Sequence, residues 1–308
     1  MEAASSASRE VPVEEAQRKA AVLIEALPYM QSFRRKTVVV KLGGKAMADP
    51  ATTARVLTDV VFLEQVGVRP VLVHGGGVFI SDEMRRRKLE PRFASGLRVT
   101  DEVAIEVAEE VIHKVNEKLV GTINDRGGRA LGLCDPKSYA IIARKHPPVR
   151  AEDGTEVDLG FVGEVISVDA DAIQRLCDGN VVPVIPPLAR GPEEQALNVN
   201  ADVVASQVAS ALGAEKLVFL SDIEGVWTER GKPSSVASSL SESEIRELIS
   251  TGVINEGMLP KIEASLKTLH AGVRKVHIID GRIPHSLLLE IFTEKGIGTE
   301  IVPEADSG

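Results

Sequence analysis

One lysine flanks a glycine turn after a predicted strand, and another sits where a cation is best explained by an anion close by. Lys41 ends a β-branched run and opens the turn Lys41-Leu42-Gly43-Gly44-Lys45, while Lys261 follows Gly257-Met258-Leu259-Pro260 in the first turn of a predicted helix. A cation is disfavoured at a helix N-terminus unless a negative group shares the site. A second glycine turn, His74-Gly75-Gly76-Gly77, also follows a predicted strand. Glycines there let backbone N–H groups close on an anion, and a helix starting just beyond adds its positive end. Neither turn has the G-x-x-x-x-G-K-[ST] spacing, and Ile80 occupies the last glycine position of G-x-G-x-x-G.

Three further strings carry polar groups suited to recognition. Gly96-Leu97-Arg98-Val99-Thr100 places an arginine ahead of a long helix, where its planar fork can grip a carboxylate at two points or form a surface salt bridge. Leu197-Asn198-Val199-Asn200-Ala201-Asp202 puts two amides and a carboxylate in a turn entering a helix, which is also the form of an ordinary N-cap. Ser221-Asp222-Ile223-Glu224-Gly225 follows another strand.

The elements that position these residues alternate. Thr37 to Leu42 and Pro70 to His74 read as strands around a helix from Ala51 to Gln65, which is βαβ logic. After Thr100, the residues Ile105, Ala108, Ile112, Val115, Leu119 and Ile123 keep helical period until Gly127-Gly128. Short β-like runs at Ala140 to Arg144 and Val162 to Val168 flank a turn-rich segment and predict a hairpin excursion. Strand and helix then resume, with strands at Val181 to Ile185, Leu217 to Leu220 and Val276 to Ile279. The fold class expected is α/β, an open and mainly parallel sheet sandwiched by helices, with an N-terminal extension helix. The chain divides into an extension at 1–34, a half at 35–192 and a half at 193–308, the polar Gly191 to Glu194 stretch marking the boundary.

Composition narrows the function classes. Lys plus Arg number 36 against 45 Asp plus Glu, a net charge of −9, so the surface as a whole repels nucleic acid and anionic membranes. Seven Phe, two Tyr and one Trp leave few stacking platforms for bases or sugars. Cys134 and Cys177 have no C-x-x-C spacing, which points to neither a disulfide framework nor a thiolate metal site and suits a reducing cytoplasm. An acidic N-terminus carrying Glu2, Glu10, Glu14 and Glu15 is unlike a targeting peptide, and no run approaches the roughly 18 apolar residues of a membrane helix.

In this order along the chain, the two glycine turns, Arg98 with Thr100-Asp101, Asn198 to Asp202 and Gly257 to Lys261 resemble the amino-acid kinase superfamily, and within it the N-acetyl-L-glutamate kinases. The likeness runs from about Val22 to Val302. It implies that ATP, carrying Mg²⁺ on its phosphates with no dedicated protein metal site, phosphorylates the side-chain carboxylate of N-acetyl-L-glutamate on the route to arginine. By the same likeness Lys41 and Lys261 hold the transferring phosphoryl group, Gly44 and Gly76 donate N–H groups to it, and Asp202 orients both lysines. Arg98 and Asn198 take the α-carboxylate, with Gly76 and Gly77 lining that pocket. Ser221, Asp222, Gly225, Gly257 and Met258 lie along the nucleotide. Val78 and Glu256 depart from the family pattern, where Pro and Gly are common.

Leu23 to Arg34 resembles the N-terminal helix of arginine-inhibited members, which links dimers into a hexamer, a trimer of dimers. That implies L-arginine as an inhibitor, with Tyr29, His285, Glu290 and Gly296 as effector contacts, and leaves a PII protein as a possible partner. The rival readings are a kinase for N-acetyl-2-aminoadipate, one methylene longer, and a catalytically silent regulator that answers to arginine or PII.

Overall fold

A computed structural model describes residues 13–135, 138–151, 153–229, 231–254, 258–293 and 296–304. The first part of the chain runs α1 (Val13–Phe33), β1 (Thr37–Leu42), α2 (Gly44–Ala48), α3 (Pro50–Gln65), β2 (Arg69–His74), α4 (Gly77–Arg86), β3 (Arg92–Ala94), β4 (Leu97–Val99), α5 (Glu102–Asp125) and β5 (Ala130–Gly132). The middle runs β6 (Ile141–Lys145), β7 (Val149–Arg150), β8 (Glu156–Val157), β9 (Gly163–Val168), α6 (Ala170–Asp178), β10 (Val182–Ile185), β11 (Leu188–Arg190) and β12 (Ala196–Asn198). The last part runs α7 (Ala201–Ala211), β13 (Lys216–Ser221), β14 (Ser239–Ser241), α8 (Glu242–Ser250), α9 (Leu259–His270), β15 (Lys275–Asp280), α10 (Ser286–Phe292) and β16 (Thr299–Val302).

Eight strands form one sheet in the order β14-β16-β15-β13-β1-β2-β10-β5. All its pairs are parallel except β15 with β16. Every residue of β1 and β10 is buried, as strands covered on both faces require, and that burial is why their sequences are nearly continuous aliphatic runs. Along β1 the faces alternate. Val38, Val40 and Leu42 pack with α3, α5 and α10, whereas Val39 packs with α7 and α9. Lys41, two residues from Val39, therefore projects toward α7 and α9.

The chain steps from β1 to β2 on one side and only later returns to β13 on the other. The carboxyl end of β1 is thus a topological switch point, where ligand crevices open in sheets of this kind. The expected excursion between Ala140 and Val168 is the antiparallel β6–β9 pair with the β7–β8 ladder beyond it, and it joins β11 and β12 in a four-stranded sheet. Gly191 to Glu194 turns the β11–β12 hairpin, closed by Gly191 N–H on the Gln195 carbonyl at 2.8 Å. That hairpin carries Asn198 back toward Thr100. No helix among the described residues is long and apolar enough to cross a membrane.

Candidate active site

Three elements bring the two lysines to one carboxylate. Asn200 caps α7, its side chain accepting from the N–H groups of Asp202 and Val203, so Asp202 sits in the first helical turn. Lys41 Nζ lies 2.8 Å from Asp202 Oδ1, and Lys261 Nζ lies 3.0 Å from Asp202 Oδ2. Lys261 belongs to the first turn of α9, and the carboxylate supplies the anion that a cation there calls for. Lys261 also stands 4.6 Å over the Phe219 ring.

Burial pushes the Asp202 carboxyl up, but the two ammonium groups more than offset it and bring it down to about 2. Burial holds the Lys261 ammonium below the ordinary lysine value against the opposing pull of Asp202. Asp222 adds to that pull from the end of β13.

Lys41, Gly44 and Asp202 stand at the edge of a cavity of about 500 Å³. Its walls include Gly75, Gly76, Gly77, Arg98 and Asn198, so the cavity joins both glycine turns to the recognition residues. The turns also meet each other, because Gly75 N–H donates to the Leu42 carbonyl at 2.8 Å. Gly44 adopts φ 59°, in the left-handed region that glycine enters without strain.

Arg98 is 8% exposed, with its Nη2 donating to the Ser81 hydroxyl at 2.7 Å and the Gly77 carbonyl at 2.9 Å and its guanidinium 4.7 Å over the Phe93 ring. Among the described residues no Asp or Glu pairs with it. A buried guanidinium that has oriented partners but no counter-ion, on the wall of a cavity, is suited to a carboxylate ligand. Asn198 Nδ2 donates to Thr100 Oγ1 at 3.3 Å beside it.

The structure brings together Lys41, Lys261, Asp202, Gly44, Gly76, Gly77, Arg98 and Asn198. Ser221, Asp222 and Gly225 lie at and beyond the carboxyl end of β13, and Met258 precedes α9; none of the four lines the 500 Å³ cavity. Gly225 is shaped by a protein contact, since a β-carbon there would stand 2.5 Å from Thr299 Oγ1. Gly257 and Glu256 lie outside the described residues. Tyr29, Glu290 and Gly296 share a second cavity of about 560 Å³ with His277, Lys216 and Glu300. His285 is not brought to it, because its ring pairs with Asp59 at 2.6 Å on α3.

Sequence reading missed Ser81, Arg85 and Phe93, all of which line the first cavity. Ser81 and Arg85 had a signal: they follow Gly77 by four and eight residues and so share a face of α4 once that helix is taken to start at Gly77. Phe93 had none. Among the described residues no three His, Cys, Asp or Glu side chains cluster as metal ligands. Both Asp202 oxygens already face ammonium groups.

The sequence pattern of the amino acid kinase family matches residues 36–280. An acetylglutamate kinase of Pelotomaculum thermopropionicum is 47% identical over 287 residues, covering 92% of this chain and 97% of that protein. One from Methanothermobacter thermautotrophicus is 45% identical over 286 residues, covering 91% and 98%. Among solved structures, N-acetylglutamate synthase of Neisseria gonorrhoeae with coenzyme A and N-acetyl-glutamate superposes with a TM-score of 0.81 at 28% identity, over 93% of this chain and 64% of that longer one. The same enzyme with coenzyme A and L-arginine gives a TM-score of 0.79 at 27% identity, over 93% and 66%. Carbamate kinase of Giardia lamblia, with a TM-score of 0.63 at 16% identity over 87% and 99%, shares the fold. A strand-ordered sheet, a cavity at its switch point and these likenesses agree: the chain belongs to the amino acid kinase family, among the acetylglutamate kinases.

Proposed function

We propose that the chain transfers the γ-phosphoryl group of ATP to the side-chain carboxylate of N-acetyl-L-glutamate, giving the acyl phosphate and ADP, as a cytoplasmic step toward arginine. The observation that carries the reading is the pair of ammonium groups meeting on Asp202 at one edge of a cavity whose wall holds an unpaired guanidinium. A glutamate-type carboxylate, with a pKa of roughly 4.3, is already ionised at neutral pH and needs no general base. What opposes reaction is an anion approaching a polyanion. Two unit charges about 4 Å apart interact by roughly 4 kcal/mol at an effective dielectric near 20, so two well-placed cations relieve a substantial part of the barrier.

In this reading Arg98 and Asn198 hold the α-carboxylate, and the N–H groups of Gly44 and Gly76 with Lys41 and Lys261 receive the phosphoryl group. Asp202 holds both ammonium groups in line, and Ser221, Asp222, Gly225, Gly257 and Met258 flank the nucleotide. Incubation with N-acetyl-L-glutamate, ATP, Mg²⁺ and hydroxylamine is expected to yield an acyl hydroxamate, faster than with N-acetyl-2-aminoadipate. No hydroxamate from either acid points to a silent regulator.

The regulatory part of the reading is end-product inhibition by L-arginine in a hexamer built as a trimer of dimers. Two observations support it: no residue of α1 is buried by its own chain, leaving Leu23, Ile24 and Leu27 exposed, and Tyr29, Glu290 and Gly296 share one cavity. Glu290 bonds His277 at 2.6 Å and Ile297 N–H at 2.8 Å through its two oxygens, and Glu300 pairs with Lys275 at 2.9 Å through one oxygen, so a guanidinium there would have to share these carboxylates. Removal of residues 1–34 is expected to abolish both hexamer mass and arginine sensitivity. Retention of both contradicts this part alone.

A further inference from the structure

His74 ends β2 directly under the second glycine turn and is wholly buried, yet the chemistry above gives it no task. Its Nδ1 lies 2.8 Å from the carbonyl oxygen of Gly75, and its Nε2 lies 3.0 Å from Asn116 Nδ2. The same Asn116 nitrogen is 3.1 Å from the Val184 carbonyl. A carbonyl can only accept, so the amide group facing it must be the NH₂. The second hydrogen of that NH₂ then falls to His74 Nε2, which must accept. The ring's own proton is left on Nδ1, where it donates to Gly75. The other end of the amide also has its place, because Gly132 leaves the room Asn116 Oδ1 occupies and a β-carbon there would collide with it.

The Gly75–Gly76 peptide needs such an anchor. It lies between two residues without β-carbons, for which rotation of the whole peptide unit meets little steric resistance. In a planar trans peptide the N–H points opposite to the C=O. With the Gly75 oxygen tied down to the buried ring, the Gly76 N–H is turned to the other side. That N–H has no acceptor among the described residues, and Gly76 lines the cavity beside Lys41.

We propose that His74 and Asn116 are positioning residues that lock the Gly75–Gly76 peptide so that the Gly76 N–H faces the phosphoryl group in transit. The inference rests on the kinase reading above for the identity of that group, though not for the hydrogen-bond chain itself. Burial favours the neutral ring the chain requires, bringing its pKa down to about 4.

The chain is tested first without activity. ¹⁵N NMR of histidine-labelled full-length protein is expected to show His74 as the neutral Nδ1–H tautomer from pH 5.5 to 8. A proton on Nε2, or an imidazolium forming near pH 6.5, overturns the proposal. Kinetics test the role. His74→Leu removes the donor, whereas His74→Asn places an amide NH₂ near the position of Nδ1. Loss of one donor to the reacting group, the part the Gly76 N–H plays here, typically costs about 10²–10³ in turnover. His74→Leu is therefore expected to lower kcat by about 10²-fold with KM for the acid within a few-fold, and His74→Asn to recover most of it at equal or lower melting temperature. A folded His74→Leu with wild-type kcat, or a His74→Asn as slow as His74→Leu, overturns the proposal. Wild-type protein that forms no hydroxamate despite the expected tautomer defeats the kinase reading, and the role at the phosphoryl group with it, but not the hydrogen-bond chain.

Discussion

The ammonium of Lys41 occupies the space beside Gly43 that any side chain would need: a β-carbon built on Gly43 would stand 2.5 Å from Lys41 Nζ and 2.9 Å from its Cε. A free lysine tip could step aside at little cost. This one is held by Asp202 at 2.8 Å, so the collision must move the cation to which the proposed mechanism gives the phosphoryl group. Gly43→Ala is expected to lower kcat by about 10²-fold while KM for the acid changes little and the melting temperature falls only slightly. Steady-state kinetics with a thermal melt check it, and wild-type kcat in a folded variant contradicts the assignment of Lys41.

Lys41, Lys261 and Asp202 act as one unit in this account, so their deletions should not add. Lys41→Ala and Lys261→Ala are each expected to lower kcat by at least 10²-fold with much smaller changes in KM, because the contact strengthens as charge moves onto the bridging oxygen. Asp202→Asn combined with Lys41→Ala should be little worse than the slower single variant. Independent multiplication of the two effects in a double-mutant cycle contradicts the shared role.

Arg98 should divide the kinetic constants the other way. In the proposed mechanism its fork meets the acid before and after phosphoryl transfer alike, so Arg98→Lys is expected to raise KM for N-acetyl-L-glutamate about 10- to 100-fold, the range of a lost charge-assisted bond, with kcat within a few-fold. A variant that loses kcat at constant KM reverses the two roles.

The buried His74 also writes a pH dependence into stability. The unfolded ring takes its proton near the ordinary value of 6.5, the folded ring only near about 4. Between those values the unfolded state binds more protons, so this contribution is complete above pH 6.5 and is lost as the pH falls toward 4. The shift corresponds to roughly 3 kcal/mol at most. Urea unfolding of wild type is expected to weaken more steeply from pH 6.5 to 4 than that of His74→Asn. Parallel slopes would falsify the neutral, buried assignment.

The fold was legible wherever a residue's neighbours in sequence are also its neighbours in space. The period of Ile105 to Ile123 fixed α5, and the burial of β1 on both faces left its aliphatic run in plain sight. The strands that escaped notice, such as β3 and β4 or β11 and β12, are three residues long and owe their form to pairing across the chain. In the candidate site, Lys41, Asp202 and Lys261 stand out as cations and a carboxylate at strand and helix ends. Phe93 under Arg98 and Asn116 behind His74 could not be found this way, because an exposed aromatic and one polar residue inside an apolar helix face acquire meaning only from what folds against them. His285 shows the converse: near Glu290 in sequence, it faces Asp59 instead of the cavity.

A crystal of the protein with ADP, Mg²⁺, aluminium fluoride and N-acetyl-L-glutamate tests the central claim most directly, since the fluoride group mimics the phosphoryl in flight. Both Nζ atoms are expected within hydrogen-bonding distance of that group, still joined through Asp202, with the acid's α-carboxylate on Arg98. Either ammonium turned out to solvent while the ligands are seated contradicts the account.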